Sequence, residues 1–302
     1  MGDRAKKIDG AEAKGRLALD ERLPLRVGLG SAFAGVIGYA RAMAAEVQQE
    51  PVRAVHEYRK ALRRARAVVR LSRPLMGEGG YRSLVHDLRV ALRGTSPLRD
   101  AAVLLQTLAL LPDEDKTRPA RKALTALLEA EPSVAGAPEV ELRRSLQIVV
   151  PLPARFLAFL PESLRWRELR AGLERSYRRT RRARKSAFRS REDADVHAFR
   201  KRVKELRYQL ELLDATGVGK PRRDHRALAL LAETLGEVTD LTLLRRCARL
   251  RQEEFGGARP QALLAALDAA IDARLEALSG TSRKVFERSA REFAARAVRS
   301  FH

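Results

Sequence analysis

Two stretches of this sequence set a histidine and a series of bases at intervals of one helical turn. The first is Val55-His56-Glu57-Tyr58-Arg59-Lys60-Ala61-Leu62-Arg63-Arg64-Ala65-Arg66. The second, offset by 141 (197 − 56), is Val196-His197-Ala198-Phe199-Arg200-Lys201-Arg202-Val203-Lys204-Glu205-Leu206-Arg207. Val, His, Arg, Lys and the closing Arg coincide, and Tyr/Phe, Leu/Val and Arg/Lys exchange like for like. Rows of cations can hold an extended anion. Metal-assisted or phosphoryl-transfer chemistry requires carboxylates, which these stretches almost lack.

At roughly 100° per residue, the histidine and the positions three, seven and ten beyond it fall within about 80° of one another. His56, Arg59, Arg63 and Arg66 therefore share one helix face, and His197, Arg200, Lys204 and Arg207 share another. A second face, about 100° away, is apolar in both copies. It carries Val55, Tyr58, Leu62, Ala65 and Val69 in the first, and Val196, Phe199, Val203, Leu206 and Leu210 in the second. One face anchors the helix and the next offers charge. A charged helix face is ordinarily a solvated one, but such faces mix signs and set Glu one turn from Lys or Arg. Four like charges at adjacent turns, repeated in a second helix, favour anion binding instead.

More base lies close by. Tyr177-Arg178-Arg179-Thr180-Arg181-Arg182-Ala183-Arg184-Lys185 is the densest run in the chain, and its Arg182 corresponds to Arg41 at the same offset. The run lacks the Trp, Phe and Leu of a membrane-insertion face, which leaves peripheral binding to anionic lipid as the membrane option. An exposed ion pair contributes about 0.2–1 kcal/mol, whereas micromolar affinity needs about 8 kcal/mol after the costs of association. A lone phosphate would bind weakly. A polymer engaging both rows and the Arg run adds many small contacts and releases counterions, so its affinity should fall steeply with salt.

The whole-chain balance points the same way. Lys and Arg number 60 against 38 Asp and Glu in 302 residues, a net charge of +22, and 45% hydrophobic content excludes a wholly disordered basic tail. The expected partner is a polyanion: nucleic acid, an anionic membrane surface or an inorganic phosphate polymer. A single cysteine, Cys247, excludes an internal disulfide framework and any Cys-based zinc or iron–sulfur site. It reads as a packed thiol and fits a reducing compartment, so a cytoplasmic location is expected. Met1 to Leu23 lacks a secretory apolar region, and the longest uncharged stretch, Val27 to Ala40, is shorter than the roughly 18 residues of a spanning helix. No membrane insertion is expected.

The elements that must position these rows are helices. Ala, Leu, Arg and Glu dominate, and nearly every segment has helical periodicity, so the fold class is all-α. Helices are predicted over about 25–48, 51–74, 80–111 (broken near 94–97), 116–131, 138–149, 162–189, 193–216, 221–254 (bent near Gly236), 259–278 and 281–299. Asp193 and Thr281 are expected N-caps, Gly280 a break, and Pro151 to Pro161 the hinge between halves. The length suits two compact units or one domain of two similar halves.

Other signatures fail. His56-Glu57-Tyr58-Arg59-Lys60 has Lys where a zinc-binding helix needs its second His. Gly217-Val218-Gly219-Lys220 lacks the remaining phosphate-loop glycine and is followed by Pro221, and Glu139-Val140-Glu141-Leu142-Arg143 has Arg where triphosphate tunnel enzymes have Lys. No catalytic, metal or cofactor site is predicted. Nucleic-acid binding is the alternative to a phosphate polymer, but the chain contains no Asn and only 5% aromatics, which leaves little for base readout or stacking.

The paired Val-His-x-Tyr/Phe-Arg-Lys-x-x-Arg/Lys-x-x-Arg segments, the second continuing into Tyr208, resemble the CHAD family, the conserved-histidine α-helical domain. Leu98-Arg99-Asp100 and Val238-Thr239-Asp240-Leu241 resemble its second signature. The resemblance covers almost the whole chain. It implies an N-terminal extension over 1–19 and one CHAD domain over 20–302. That domain would comprise two pseudo-symmetric four-helix-type bundles, about 20–155 and 160–302. It further implies non-enzymatic binding of inorganic polyphosphate and association with polyphosphate or storage granules. The ligands it implies are His56, Arg59, Lys60, Arg63 and Arg66 with His197, Arg200, Lys201, Lys204, Arg207 and Tyr208, to which the Arg run adds Arg41 and Arg182. Thr239 in place of the Arg99 type and Glu205 in place of Arg64 would weaken the charge of the second half. Asp100 and Asp240 are expected to cap helices or hold bases, and His86 and His225 to be structural. Two roles stand open for His56 and His197, donation to phosphate or ordering of a neighbouring group. As ligands, their protonation below about pH 6.5 should tighten binding.

Overall fold

The structure, a computed structural model, describes residue 15 and residues 17–20, 22–95, 100–130, 138–214 and 221–298. Among these the chain is all-α, without strands. The first half holds α1 (Leu25–Ala45), α2 (Pro51–Leu71), α3 (Glu78–Gly94), α4 (Asp100–Ala109), α5 (Arg118–Ala130), α6 (Pro138–Val149) and α7 (Leu152–Phe159). The second holds α8 (Trp166–Ser190), α9 (Asp193–Asp214), α10 (Pro221–Leu250), α11 (Gln261–Val285) and α12 (Ala290–Ala297). Proline opens α2, where a missing N–H costs nothing. At the start of α8, Arg165 N donates to Glu168 Oε2 at 3.0 Å, and the helix closes on Arg191 in the left-handed region at φ 55°.

The repeat is visible in the packing. α1 lies on α2 as α8 lies on α9, and α3 lies on α2 as α10 lies on α9. Both apolar faces read from the sequence are buried, with Tyr58, Leu62, Phe199 and Val203 all at 0% exposure. α2 and α9 also pack on each other. Where they cross, Gln209 Nε2 donates to Ala67 O at 3.1 Å. On either side Arg64 meets Glu211 at 3.0 Å and Arg70 meets Glu205. At the offset of 141, Arg64 corresponds to Glu205 and Arg70 to Glu211. Each ion pair is thus the image of the other, as a two-fold contact requires.

The third helix of each half keeps a different phase. Buried Leu84, Leu88 and Ala91 of α3 match buried Leu228, Ala232 and Leu235 of α10, an offset of 144 (228 − 84). The halves also interlock: α4 packs on α10 and α5 reaches α11.

Several expectations need correction. The Pro151–Pro161 segment is not a free hinge. It contains α7, whose Phe156 ring stacks on Phe33 at 4.5 Å. Arg155 of α7 bonds Asp87 at 2.7 Å and Ser83 at 2.6 Å, and Arg26 donates to Leu157 O at 3.1 Å. The prolines sit at the first turn, where a helix tolerates them. Gly280 and Thr281 do not separate two helices, since α11 runs through them to Val285. The ends of that stretch are tied by Arg184, which donates to Ser282 Oγ at 2.9 Å and Ser279 O at 3.2 Å. The N-cap falls instead at Ser289, which forms a capping box with Glu292. Asp193 spends both carboxylate oxygens on Arg245 at 2.7 Å. α10 is continuous through Gly236. Leu17 and Leu19, within the expected N-terminal extension, are buried, and Leu17 N donates to Glu211 Oε1 at 3.2 Å. α1 has the length and composition of a membrane span, yet half of its apolar window is buried inside the fold.

Two glycines give opposite expectations. A Cβ on Gly172 of α8 would stand 1.9 Å from Leu71 O, a backbone atom that cannot turn aside. Gly172→Ala should therefore destabilise by about 1–3 kcal/mol or more. A Cβ on Gly280 meets nothing within 4 Å, so Gly280→Ala should stabilise α11 by about 0.5–1 kcal/mol. Urea melts of both variants check this, and a destabilised Gly280→Ala would mean that α11 breaks there.

Candidate anion-binding site

The cationic faces of α2 and α9 turn into one cleft of about 370 Å³, walled on another side by α3. Arg59, Arg63 and Arg66 enter from α2, and His197, Arg200, Lys201 and Lys204 from α9. α3 adds Arg89 and Arg93, with Leu92 between them. Ala67 and Tyr208, at the helix crossing, complete the lining with Glu205. Among the described residues, eight cations therefore line the cleft against one carboxylate.

Neighbouring backbone positions the two equivalent arginines. Arg59 Nη1 donates to Leu92 O at 3.0 Å and Thr95 Oγ1 at 2.8 Å. This is the C-terminal end of α3, where the last carbonyls lack helical partners and the helix dipole favours a cation. Arg200 lies across Gly236 of α10, where a Cβ would stand 3.4 Å from its Nη2. Glu205 enters the cleft as the notable acid of the second row, held by Arg70 and by Arg202 Nη1 at 3.1 Å.

The charges crowd one another. Burial, reinforced by Arg70, pulls the Arg66 guanidinium down to about 10. Burial lowers Lys201 as well, with Arg66 and Arg202 adding to it. Burial, then Lys201, Arg200, Lys204 and Arg63, pulls His197 down to about 4. Without an anion in the cleft His197 is thus neutral at pH 6.5, since it titrates below the range of an ordinary histidine, and its ring N–H is available as a hydrogen-bond donor. An anion among these groups would relieve their mutual repulsion.

The structure does not bring every predicted residue into the cleft. His56 is outside the lining, 44% exposed, with Nε2 3.8 Å from Glu57 Oε1. Lys60 is also outside, its Nζ 3.0 Å from both oxygens of Glu57, which Tyr39 bonds in turn at 3.3 Å. In α9 the position of Glu57 is Ala198, so Lys201 is drawn to no such partner and lines the cleft. Arg207 lies over the Tyr208 ring at 5.4 Å, with Arg64 5.5 Å from the same ring, and only Tyr208 of the three lines the cleft. Arg41 and Arg182 are exposed on α1 and α8, away from the lining. Leu98 and Arg99 lie outside the described residues, as does the side chain of Asp100. Thr239 Oγ1 bonds back to Leu235 O at 2.8 Å within its own helix.

Sequence reasoning missed Arg89 and Arg93. They sit at i,i+4 on one face of α3, but the repeat does not flag them, because the matched positions of α10 at the offset of 144 are Glu233 and Glu237. The available signal was two bases one turn apart with their nearest acid, Asp87, spent on Arg155.

Comparison with known proteins agrees with this architecture. The crystal structure of the CHAD domain from the plant Ricinus communis has the same fold, with a TM-score of 0.60 over 95% of each chain at 19% identity. No curated protein matches the sequence. Residues 32–249, spanning α2, α3, α9 and almost all of α10, match the family model of the CHAD domain. The chain thus belongs to the CHAD domain family.

Proposed function

We propose that this protein binds inorganic polyphosphate without transforming it, in the cleft between α2, α3 and α9. The observation that carries the reading is the convergence, among the described residues, of eight cations from three helices on one cleft with a single carboxylate. Such a site suits a ligand with a charge on every repeat unit and no requirement for base contacts. Each contact is weak, and their number together with counterion release supplies the affinity. Glu205 is already held by two arginines, which leaves the cleft no carboxylate to hold a metal or position a nucleophile. Orthophosphate released from polyphosphate with Mg²⁺ or Mn²⁺, and lost on cleft mutation, would overturn the non-enzymatic part of this reading.

Reversing Arg63 and Lys204 together to Glu should weaken polyphosphate binding roughly hundred-fold or more, since each hydrogen-bonded charge contributes about 1.5–3 kcal/mol. Arg41→Glu with Arg182→Glu should change it by no more than about three-fold, as exposed charges outside the cleft do. Fluorescence titration across a salt series checks both, and each lost cleft cation should flatten the log–log salt slope by about one. Duplex DNA or RNA that displaces polyphosphate at equal phosphate concentration would favour the nucleic-acid reading.

The pH dependence follows from His197. Its free value of about 4 lies below the ordinary histidine value of about 6.5. As pH falls through that window the unfolded chain takes up the proton first, so the unliganded protein loses stability. Bound phosphate raises His197, so binding takes up a proton and tightens as pH falls. Calorimetry at pH 5.5 in buffers of differing ionisation enthalpy should show more proton uptake in the wild type than in His197→Gln. Equal uptake would place His197 away from the ligand.

A further inference from the structure

The cleft breaks the two-fold symmetry of the helices that build it. α3 presents Arg89 and Arg93, whereas α10 carries exposed Glu233 and Glu237 at the matched positions. Contact selects this match among those that burial allows: Arg59 bonds at Leu92 and its counterpart Arg200 lies on Gly236, again 144 apart (236 − 92). A second difference has the same sign. Lys201 lines the cleft, while its counterpart Lys60 is held by Glu57. The side related to the cleft by the two-fold has therefore exchanged two arginines for two glutamates and lost the free charge of one lysine.

Building on the polyphosphate reading, we propose that the cleft captures the end of a chain rather than its middle. An internal segment would have to run on across the α10 side, past Glu233, whose like charge repels it, and past Glu237, whose carboxylate is held by Arg274 at 3.0 Å and supplies no cation in place of Arg93. A chain end needs only the α3 side. A terminal phosphoryl group also carries close to two charges near neutral pH, by analogy with phosphate monoesters, against one for an internal unit. The densest cluster of cations therefore selects it.

The test counts protein molecules per chain. Linear polyphosphates of about ten and about one hundred units, with free ends or with both ends blocked as phosphoramidates, are titrated by calorimetry and analytical ultracentrifugation. Free-ended chains should bind no more than two proteins at either length, and blocking the ends should weaken binding at least ten-fold. Glu233→Arg with Glu237→Arg, or the milder Glu233→Gln with Glu237→Gln, should let the long chain bind additional copies. Wild-type occupancy that grows with chain length, or blocked chains that bind as tightly as free ones, would overturn end capture and leave polyphosphate binding intact. Failure of every linear chain to bind would overturn both.

Discussion

The crossing of α2 with α9 is the constraint on which everything else depends. Their apolar faces are buried, which leaves the adjoining cationic faces one direction in which to point. The crossing is held by two reciprocal ion pairs, Arg64 with Glu211 and Arg70 with Glu205, in which each helix supplies one arginine and one glutamate. Buried pairs of this kind add little net stability, because desolvation offsets attraction, but losing one partner leaves a costly uncompensated charge. Their effect here is on register. A slide of either helix would separate both pairs at once.

That register places like charges close together, and the fold bears the cost. Arg66, Lys201 and His197 are each made harder to protonate by burial and by their cationic neighbours. Sites that serve a ligand often hold such local strain, compensated elsewhere in the structure. The compensation is visible at both ends of the row. Arg59 is anchored on the C-terminal carbonyl region of α3, and Glu205 is shared between Arg70 and Arg202 beside the cleft. The charge left uncompensated between them faces the cleft.

Much of this was readable in the sequence, because periodicity within one helix is a local property. The two apolar faces and the convergent residues Arg59, Arg63, Arg66, His197, Arg200 and Lys204 follow from the spacing of side chains along single helices, and Lys201 follows from the family resemblance. What depends on neighbouring elements did not follow. His56 and Lys60 lie on the correct helix, but Glu57 and Tyr39 form a separate cluster with Lys60 on another side of it. Arg89 and Arg93 escaped because they have no cationic counterparts in the second half, where the matched positions are Glu233 and Glu237. Gly280 and the prolines before α7 were misread as punctuation. Glycine in a helix costs only about 1 kcal/mol, and proline in a first turn costs little, so packing against Arg184, Phe33 and Asp87 decided both cases.

The interlocking of the halves has a structural consequence of its own. α4 rests on α10 and α5 reaches α11, and Arg251 donates to Leu127 O at 3.3 Å across the same boundary. Neither half closes its own hydrophobic surface. The link between α7 and α8 is consequently one tie among several, for the halves are also clasped by the crossed helices and by the arm that each lends the other.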